Sequence, residues 1–588
     1  MGSVEKLITE NLDIWTSAIQ AKSSAGRGNG KKQELYGIKK LRELILELAV
    51  RGLLVPQDPN DEPASVLIEK ISKEKARLVK EGKIKKSKVI SSAGDEEKQF
   101  MLPKGWCWSR LGEIGIVASS SRVQKKEWQD KGVPFYRARE IVKLSQNGHV
   151  DNELYITEEL FEKHSKNGLV PEKGDLMITG VGTIGVPYVV PDNTQFYFKD
   201  ASVLIFKNLF ELYPKFLFYL MKSPLWNNEI HEASMGTTVH TLTIGRANSA
   251  MIPIAPIAEQ RRIATKTYEL MAMCDQLEQH QKTSIAAHQT LVLTLLEALT
   301  TASEREGFEA AWKRIAEHFD TLFTTEWSID QLKQCILQLA VMGKLVPQDP
   351  NDEPANELLE ITMDVKKQLI KDGVIRNTKK PAPPNDPPSY KLPDTWVWTN
   401  LHEIGEIGPR NENEDDSEAS FVPMQLISEY YGVPIEHEVK QWGEIRSGFT
   451  HFKEGDVVLA KITPCFQNGK SAVMKDLTNG FGAGTTELHV YRSINSCTVP
   501  EYVLIYLKSP RFICEGIPKM TGTAGQKRIT RDYFAGNHFP LPPVSEQNQI
   551  VAKVDELMAI CDNLKENLLN AKQKEILFAE VVVHQAVA

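Results

Sequence analysis

Cysteine is scarce. Seven are scattered over 588 residues and none forms a CxxC pair, so the spacing suits neither a structural zinc site nor a disulfide framework, and a reducing cytoplasm suits the thiols. No apolar run reaches the length of a membrane span, and the opening residues, MGSVEKLITE, lack the apolar centre of a signal peptide. Neither sign of charge dominates: 70 Lys and Arg stand against 77 Asp and Glu, a formal net charge of −7. That balance argues weakly against nucleic acid as a partner but says nothing about local patches. Thirteen histidines are scattered, with no HExxH and no Ser/His/Asp arrangement. What remains is ordinary for a soluble globular protein, 41% hydrophobic and 25% charged, and too long for a single core.

What is present is a duplication. Residues 54–64 read LVPQDPNDEPA, and residues 345–355 read the same. The repeat extends in order on both sides. LRELILELAVRG (41–52) pairs with LKQCILQLAVMG (332–343), and LPKGWCWSRLGEIG (102–115) with LPDTWVWTNLHEIG (392–405). YLMKSP (219–224) pairs with YLKSP (506–510), SMGTT (234–238) loosely with MTGTA (520–524), and APIAEQRRIATKTYELMAMCDQLE (255–278) with PPVSEQNQIVAKVDELMAICDNLK (542–565). Between the Trp pairs and the YL(M)KSP segments the copies diverge strongly. One scaffold therefore presents two different recognition surfaces.

Leu41, Leu44, Ile45, Leu48 and Ala49 follow helical spacing up to Gly52, and Leu332, Ile336, Leu339 and Ala340 do so up to Gly343. Each helix enters PQDPNDEP, whose prolines cannot continue it, and second helices are predicted over 64–81 and 355–372. A Pro-rich linker occupies 380–393 (KPAPPNDPPSYKLP). Residues 102–256 and 392–543 read as mixed α/β, with short strands such as 175–179, 188–190 and 456–460 between turn residues. A long helix follows each. Ile550, Val554, Leu557, Cys561, Leu564, Leu568 and Ala571 keep heptad steps, as do Ile263, Thr267, Leu270, Cys274, Leu277, Gln281, Ser284, His288, Leu291, Leu295 and Ala298. This rhythm predicts that the two helices pack as a coiled coil, weakened by the polar stretch 281–288. A helix over 259–298 spans roughly 60 Å, enough to act as a ruler.

Three motifs look catalytic and fail on context. Gly180, Gly182 and Gly185 fit GxGxxG, but VPYVV follows, a strand where a dinucleotide site needs a helix N-terminus. Residues 468–471 (NGKS) end like a P-loop, but Pro464 stands where its first glycine belongs. Residues 386–389 (DPPS) resemble the (N/D)PP(Y/F) motif of amino-methyltransferases, yet Ser389 cannot stack on a base. By elimination the chain is a binder or organiser.

The layout resembles the DNA-specificity subunit of type I restriction-modification systems over nearly the whole length. The residues carrying the resemblance are the entries Trp106, Trp108, Leu111 and Trp396, Trp398, Leu401, and the loops Gly236-Thr237 and Gly522-Thr523. The exits Pro253, Pro256, Glu259, Gln260 and Pro540, Pro543, Glu546, Gln547 complete the set. The extended segments before each domain look like one subfamily of these subunits. The resemblance implies an α+β architecture: two tandem mixed α/β target-recognition domains, each followed by a long helix, with the helices pairing as an antiparallel coiled-coil spacer in a pseudo-two-fold arrangement. The expected boundaries are an N-terminal helical region and linker (1–101), a first recognition domain (102–257), a central spacer helix, helical repeat and Pro-rich linker (258–391), a second recognition domain (392–543) and a C-terminal spacer helix (544–588). It further implies a non-catalytic, cytoplasmic subunit that binds a split, asymmetric double-stranded DNA target. Its partners would be two modification (methyltransferase) subunits and two restriction (motor-nuclease) subunits. S-adenosylmethionine, ATP and magnesium would belong to those partners, with no cofactor on this chain and no membrane. Two domains one helical turn apart, ~34 Å, can read two major-groove segments.

Base reading needs Arg, Lys, Asn, Gln, Ser or Thr on loops. In the first domain the candidates are Arg122, Lys125, Lys126, Arg137, Arg139, Thr237, Thr238, His240 and Arg246. In the second they are Gln425, Lys461, Thr463, Gln467, Asn468, Lys470, Thr523, Gln526, Lys527 and Arg528. The segment 521–531 (TGTAGQKRITR) combines glycines with three cations and is the strongest single loop. Each candidate competes with plain surface charge. The basic run 70–88 reads better as a solvated helix face or linker than as a phosphate track, and the Trp pairs read as core rather than as stacking platforms. Two other classes make opposite predictions. A self-sufficient enzyme would bind S-adenosylmethionine alone, and a protein scaffold would show no salt-dependent DNA affinity.

Overall fold

The computed structural model describes residues 6, 8–22, 32–82, 84, 99–167, 170–210, 212–232, 241–384, 386–388, 390–523 and 525–587. The chain forms two compact units, Met1–Thr283 with Lys572–Ala588, and Ser284–Ala571. Each is a mixed α/β assembly, and each contains one copy of the repeat.

In the first unit the helix Tyr36–Val50 buries Leu41, Leu44, Ile45, Leu48 and Ala49. It ends in a Schellman turn, with the Leu53 amide donating to the Leu48 carbonyl at 2.9 Å. Gly52 takes φ +71°, and a Cβ there would lie 2.6 Å from Pro103 and 2.9 Å from the Trp106 ring. Glycine is thus required twice over, for its left-handed backbone and for the close approach. Gly343 repeats this at φ +68°, with Pro393 at 2.5 Å, after the helix Glu326–Val341. The helices that follow are Ala64–Lys80 and Ala355–Lys371. Their first amides donate to Gly105 and Thr395 carbonyls at 2.8 and 2.9 Å.

Three cations of Ala64–Lys80 are paired with nearby acids. Lys70 pairs with Glu62, Lys73 with Glu69, and Arg77 with Glu74 and Glu81. Lys75 donates to the Gly115 carbonyl at 3.1 Å, and Lys366 donates to that of Gly405 at 3.0 Å in the second unit.

The frame of the first unit is a four-stranded antiparallel sheet in the order Ile116–Ser119, Val203–Lys207, Leu176–Thr179, Pro187–Val189. Its counterpart runs Gly405–Ile407, Leu488–Ser493, Val457–Ala460, Ser471–Val473. In both units the strand within the Trp entry pairs antiparallel with the strand that opens the exit, Cys107–Arg110 with Met251–Ile254 and Val397–Thr399 with Phe539–Leu541. The variable parts differ. The first unit adds the small sheet Tyr155–Ile156, Val133–Tyr136, Tyr197–Phe198. The second adds a four-stranded sheet, Glu438–Gln441, Glu418–Val422, Phe481–Gly484, Thr450–Lys453.

The long helices are Ile257–Thr301 and Val544–Val587. In the first unit Ile263, Leu270 and Cys274 share an apolar core with Ala579 and the partly buried Ile576 and Val583. In the second, Val292, Leu296 and Leu299 share one with Ile550, Val554, Met558 and Cys561. The start of one helix and the end of the other therefore contribute to each core. The heptad reading fails in one place. Beyond residue 281 the predicted stripe through Leu291, Leu295 and Ala298 is displaced by one residue, leaving Leu291 51% exposed while Val292, Leu296 and Leu299 are buried. An α-helix drifts off a strict seven-residue repeat, and this stretch packs against a different neighbour, His288 Nε2 bonding the Leu322 carbonyl at 2.9 Å.

The Pro-rich linker is docked rather than free. His538 donates to the Asp386 carbonyl at 3.0 Å, and Tyr390 to that of Val341 at 3.0 Å. All seven cysteines are free. Among the described residues no helix is long and apolar enough to cross a membrane, and no group of three His, Cys, Asp or Glu side chains could hold a metal ion.

Candidate nucleic-acid interface

The repeated motifs meet at one buried carboxylate in each unit. Glu259 accepts the Trp106 indole N–H at 3.0 Å and the Gln57 amide at 3.1 Å. Glu546 accepts Trp396 at 2.8 Å and Gln348 at 3.0 Å. The same glutamines donate to the Gly52 and Gly343 carbonyls. Burial raises the pKa of both carboxyls, against these hydrogen bonds. The next residues act as pins. Gln260 accepts the Tyr213 amide at 3.0 Å and Gln547 that of Val499 at 2.8 Å, each at the start of the helix that carries the YL(M)KSP segment. The QDP turn, the Trp entry and the EQ exit are thus one hydrogen-bonded device. Trp106 and Trp396 are buried in it, while Trp108 and Trp398 pack on Phe100 and Tyr390.

The device holds a sheet whose loops converge at one end. In the first unit, Gly180 donates to the Ser202 carbonyl at 2.8 Å and accepts from the Leu242 amide at 2.9 Å. In the second, Lys461 donates to Glu487 at 2.9 Å and accepts from Ile529 at 2.8 Å. Three loops are tied by the same ladder in both units. GxGxxG is the first of them: it connects the antiparallel strands Leu176–Thr179 and Pro187–Val189, so a strand follows it where a dinucleotide site needs a helix. Residues 468–471 likewise enter the strand Ser471–Val473.

The structure brings the second set of candidates together. Thr463 bonds the Lys527 carbonyl through its amide (2.9 Å) and hydroxyl (3.0 Å). Thr521 and Arg528 exchange backbone bonds of 3.0 and 2.8 Å, and the Gln526 amide donates to Thr523 at 3.0 Å. Lys461, Thr463, Thr523, Gln526, Lys527 and Arg528 therefore form one cluster. Gly522 takes φ +125°, and a Cβ there would lie 2.9 Å from the Gln526 carbonyl oxygen. Gln467 and Asn468 stand on the turn at the far end of the 461–470 loop. Lys470 reaches the Met424 carbonyl at 3.2 Å, which puts Gln425 beside that loop. Buried Lys508 fastens the same segments, donating to Ser428 (3.1 Å) and Gly469 (3.0 Å) carbonyls. Burial pushes its pKa down to about 7.

The first set is more dispersed. Arg122, Lys125 and Lys126 are exposed after the strand Ile116–Ser119, and among the described residues their side chains make no hydrogen bond or ion pair. Arg137 and Arg139 both bind Glu140, at the start of the helix Ala138–Asn147. Burial opposes ionisation of Glu140, but the two guanidiniums outweigh it and its pKa falls below the usual value. Arg246 donates to the Thr241 carbonyl at 2.8 Å and to that of Ile230. It clamps both flanks of the segment that carries Thr237, Thr238 and His240, which lie outside the described residues. Arg137, Arg139, Arg246, Lys470 and Arg528 thus already have partners within the protein.

Sequence reasoning missed Glu487 and Lys508. Nothing local marks Glu487, because its partner Arg528 is remote in the chain. Lys508 carried a signal, a lysine in the apolar, duplicated YL(M)KSP segment.

Residues 103–287 and 393–572 each match the type I restriction modification DNA specificity domain. The chain is 37% identical over 617 residues to the type I restriction enzyme EcoAI specificity subunit of Escherichia coli, covering 100% of both. It is 35% identical over 623 residues to the EcoEI specificity subunit of Escherichia coli, covering 99% of this chain and 100% of that one. The solved HsdS subunit from Thermoanaerobacter tengcongensis aligns with 84% of this chain and 98% of its own at 17% identity, with a TM-score of 0.38. Matched twice by that domain and similar end to end to two specificity subunits, the chain belongs to the type I restriction-modification DNA-specificity family.

Proposed function

We propose that this chain is the non-catalytic DNA-reading subunit of a cytoplasmic type I restriction-modification complex. Each recognition domain reads one half of a split, asymmetric double-stranded target. Two modification subunits then methylate adenine, and two restriction subunits cleave unmodified DNA. S-adenosylmethionine, ATP and magnesium are held by those partners. The observation that carries the reading is that one loop ladder is built twice on one frame, with different residues in the loops: Gly180, Ser202 and Leu242 in one unit, Lys461, Glu487 and Ile529 in the other. A duplicated frame with unlike loops suits two unlike half-sites. The ungripped bases between them form a spacer whose length follows the long helices, each uninterrupted over 45 or 44 residues.

The test is to map N6-methyladenine across a genome that carries this gene and its cognate modification-subunit gene, and again with this gene deleted. A split motif with a fixed gap that vanishes on deletion is expected. Methylation that does not depend on this gene would refute the reading.

A further inference from the structure

Arg528, in the converging loops, is already held by an acid, and the way it is held leaves two of its N–H donors unengaged. Arg528 donates from Nε to Glu487 Oε2 at 2.9 Å and from Nη2 to Oε1 at 2.8 Å, while Nη1 donates to the Gln526 carbonyl at 3.1 Å. Both residues sit on pinned backbone. Arg528 exchanges bonds with Thr521, and the Glu487 carbonyl accepts the Lys461 amide at 2.9 Å while its own amide donates to Thr485 Oγ1 at 3.0 Å. The guanidinium side chain is 43% exposed and the carboxylate 25%, so the cation is the more exposed partner. The charge-assisted pairing holds the Glu487 carboxyl below the usual carboxylate value.

A guanidinium carries five N–H donors. Three are engaged here, which leaves one on each Nη. Guanine presents two acceptors in the major groove, N7 and O6, matched to two N–H groups of one arginine. A free arginine loses rotamer freedom when it is fixed on a base, whereas Arg528 is fixed before DNA arrives. The pair also has no net charge, so it adds little to phosphate attraction while keeping its directional donors. From this we infer that Arg528 reads a guanine in the half-site of the second recognition domain, and that Glu487 is the positioning residue that aims it. The inference rests on the DNA-reading role proposed above. Lys527, adjacent and without a side-chain partner among the described residues, serves as the phosphate contact for comparison.

The experiment uses the full chain assembled with its modification subunit and a duplex carrying the mapped target. Each guanine of the second domain's half-site is replaced in turn by 7-deazaguanine, and binding is followed by fluorescence anisotropy over a range of salt. One replacement should weaken wild-type binding by about 5- to 150-fold. Arg528→Ala, which loses the O6 contact as well, should bind the natural site at least as weakly as that duplex and be indifferent to the same replacement, with an unchanged salt slope. Lys527→Ala should lower the slope by about one and leave base preference intact. Glu487→Gln should lose part of the discrimination at that guanine and none elsewhere, while the first domain's half-site keeps its preferences in every variant. The inference is overturned if Arg528→Ala keeps every 7-deazaguanine effect, if no guanine of the half-site matters, or if Glu487→Gln weakens all sequences equally. A wild-type complex with no sequence preference would instead refute the DNA-reading role itself.

Discussion

Replacing Glu546 by glutamine is the sharpest test of how the duplicated motifs act. Glu546 is 1% exposed and accepts from buried Trp396 at 2.8 Å and from the exposed residue Gln348, whose amide is part-buried at this contact, at 3.0 Å. A glutamine offers one oxygen and one NH2 group. If the oxygen keeps Trp396, the NH2 faces the Gln348 amide, which cannot simply flip because it also donates to the Gly343 carbonyl at 2.9 Å. The variant loses a charge-assisted hydrogen bond, ~1.5–3 kcal/mol, while the freed Gln348 amide N–H, on an exposed residue, can turn to water. Relief from burying a charge offsets part of this. A net loss of ~1–2 kcal/mol is expected, confined to the second unit. Because a chain of several cores need not unfold in one step, the assay is native-state hydrogen exchange on the full chain. Amides of residues 345–355 and 396–401 should lose that protection while residues 54–64 keep theirs. Glu259→Gln should give the mirror result. A change below ~0.5 kcal/mol, or one shared by both units, would refute the claim that this carboxylate joins turn, Trp entry and exit.

Gly522→Ala puts a side chain at φ +125°, against the Gln526 carbonyl oxygen. It should cost ~1–3 kcal/mol locally and weaken reading of the second half-site alone; unchanged binding would show that the loop is not used. His489, whose ring stacks on Phe534 and bonds the Ile529 carbonyl at 3.1 Å, faces Lys461, Arg531 and Glu487. Burial lowers its pKa to about 4. A depressed folded pKa means stability is present above ~6.5 and is lost as pH falls towards 4, so denaturant midpoints should drop through that window. An imidazole seen by NMR to titrate near 6.5 would contradict this. Deleting about seven residues, two helical turns, from the helix Ile257–Thr301 should shift or abolish the spacer of the methylated motif; an unaltered spacer would end the ruler idea.

Much of the frame was legible because it is local or repeated. The helix ending at Gly52 needs only apolar spacing, a glycine and following prolines, and its copy at Gly343 confirms the reading. The Trp106 and Trp396 segments could be assigned to core because each is duplicated within apolar sequence. The central helix was readable as a helix, but not in register throughout. Which of Leu291 and Val292 is buried depends on the neighbour packed there, and both satisfy a helical pattern.

The loop residues were harder. Arg122, Arg137, Arg246 and Arg528 look alike in sequence, each a cation near turn residues. Their partners separate them: none among the described residues for Arg122, Glu140 for Arg137, backbone carbonyls for Arg246, Glu487 for Arg528. Those partners come from other loops brought to the same sheet end by strand pairing.

The amino-acid sequence by itself determined that the chain is duplicated, that each copy has a shared frame with unlike contents, and that long helices follow each copy. These are properties of pattern, and pattern survives without coordinates. Only the tertiary structure decided that Gln57, Trp106 and Glu259 meet at one carboxylate, that three loops lock into one ladder, and that Arg528 is held by Glu487. Hydrogen bonds act over about 3 Å, and no spacing along a chain fixes which remote segments come that close.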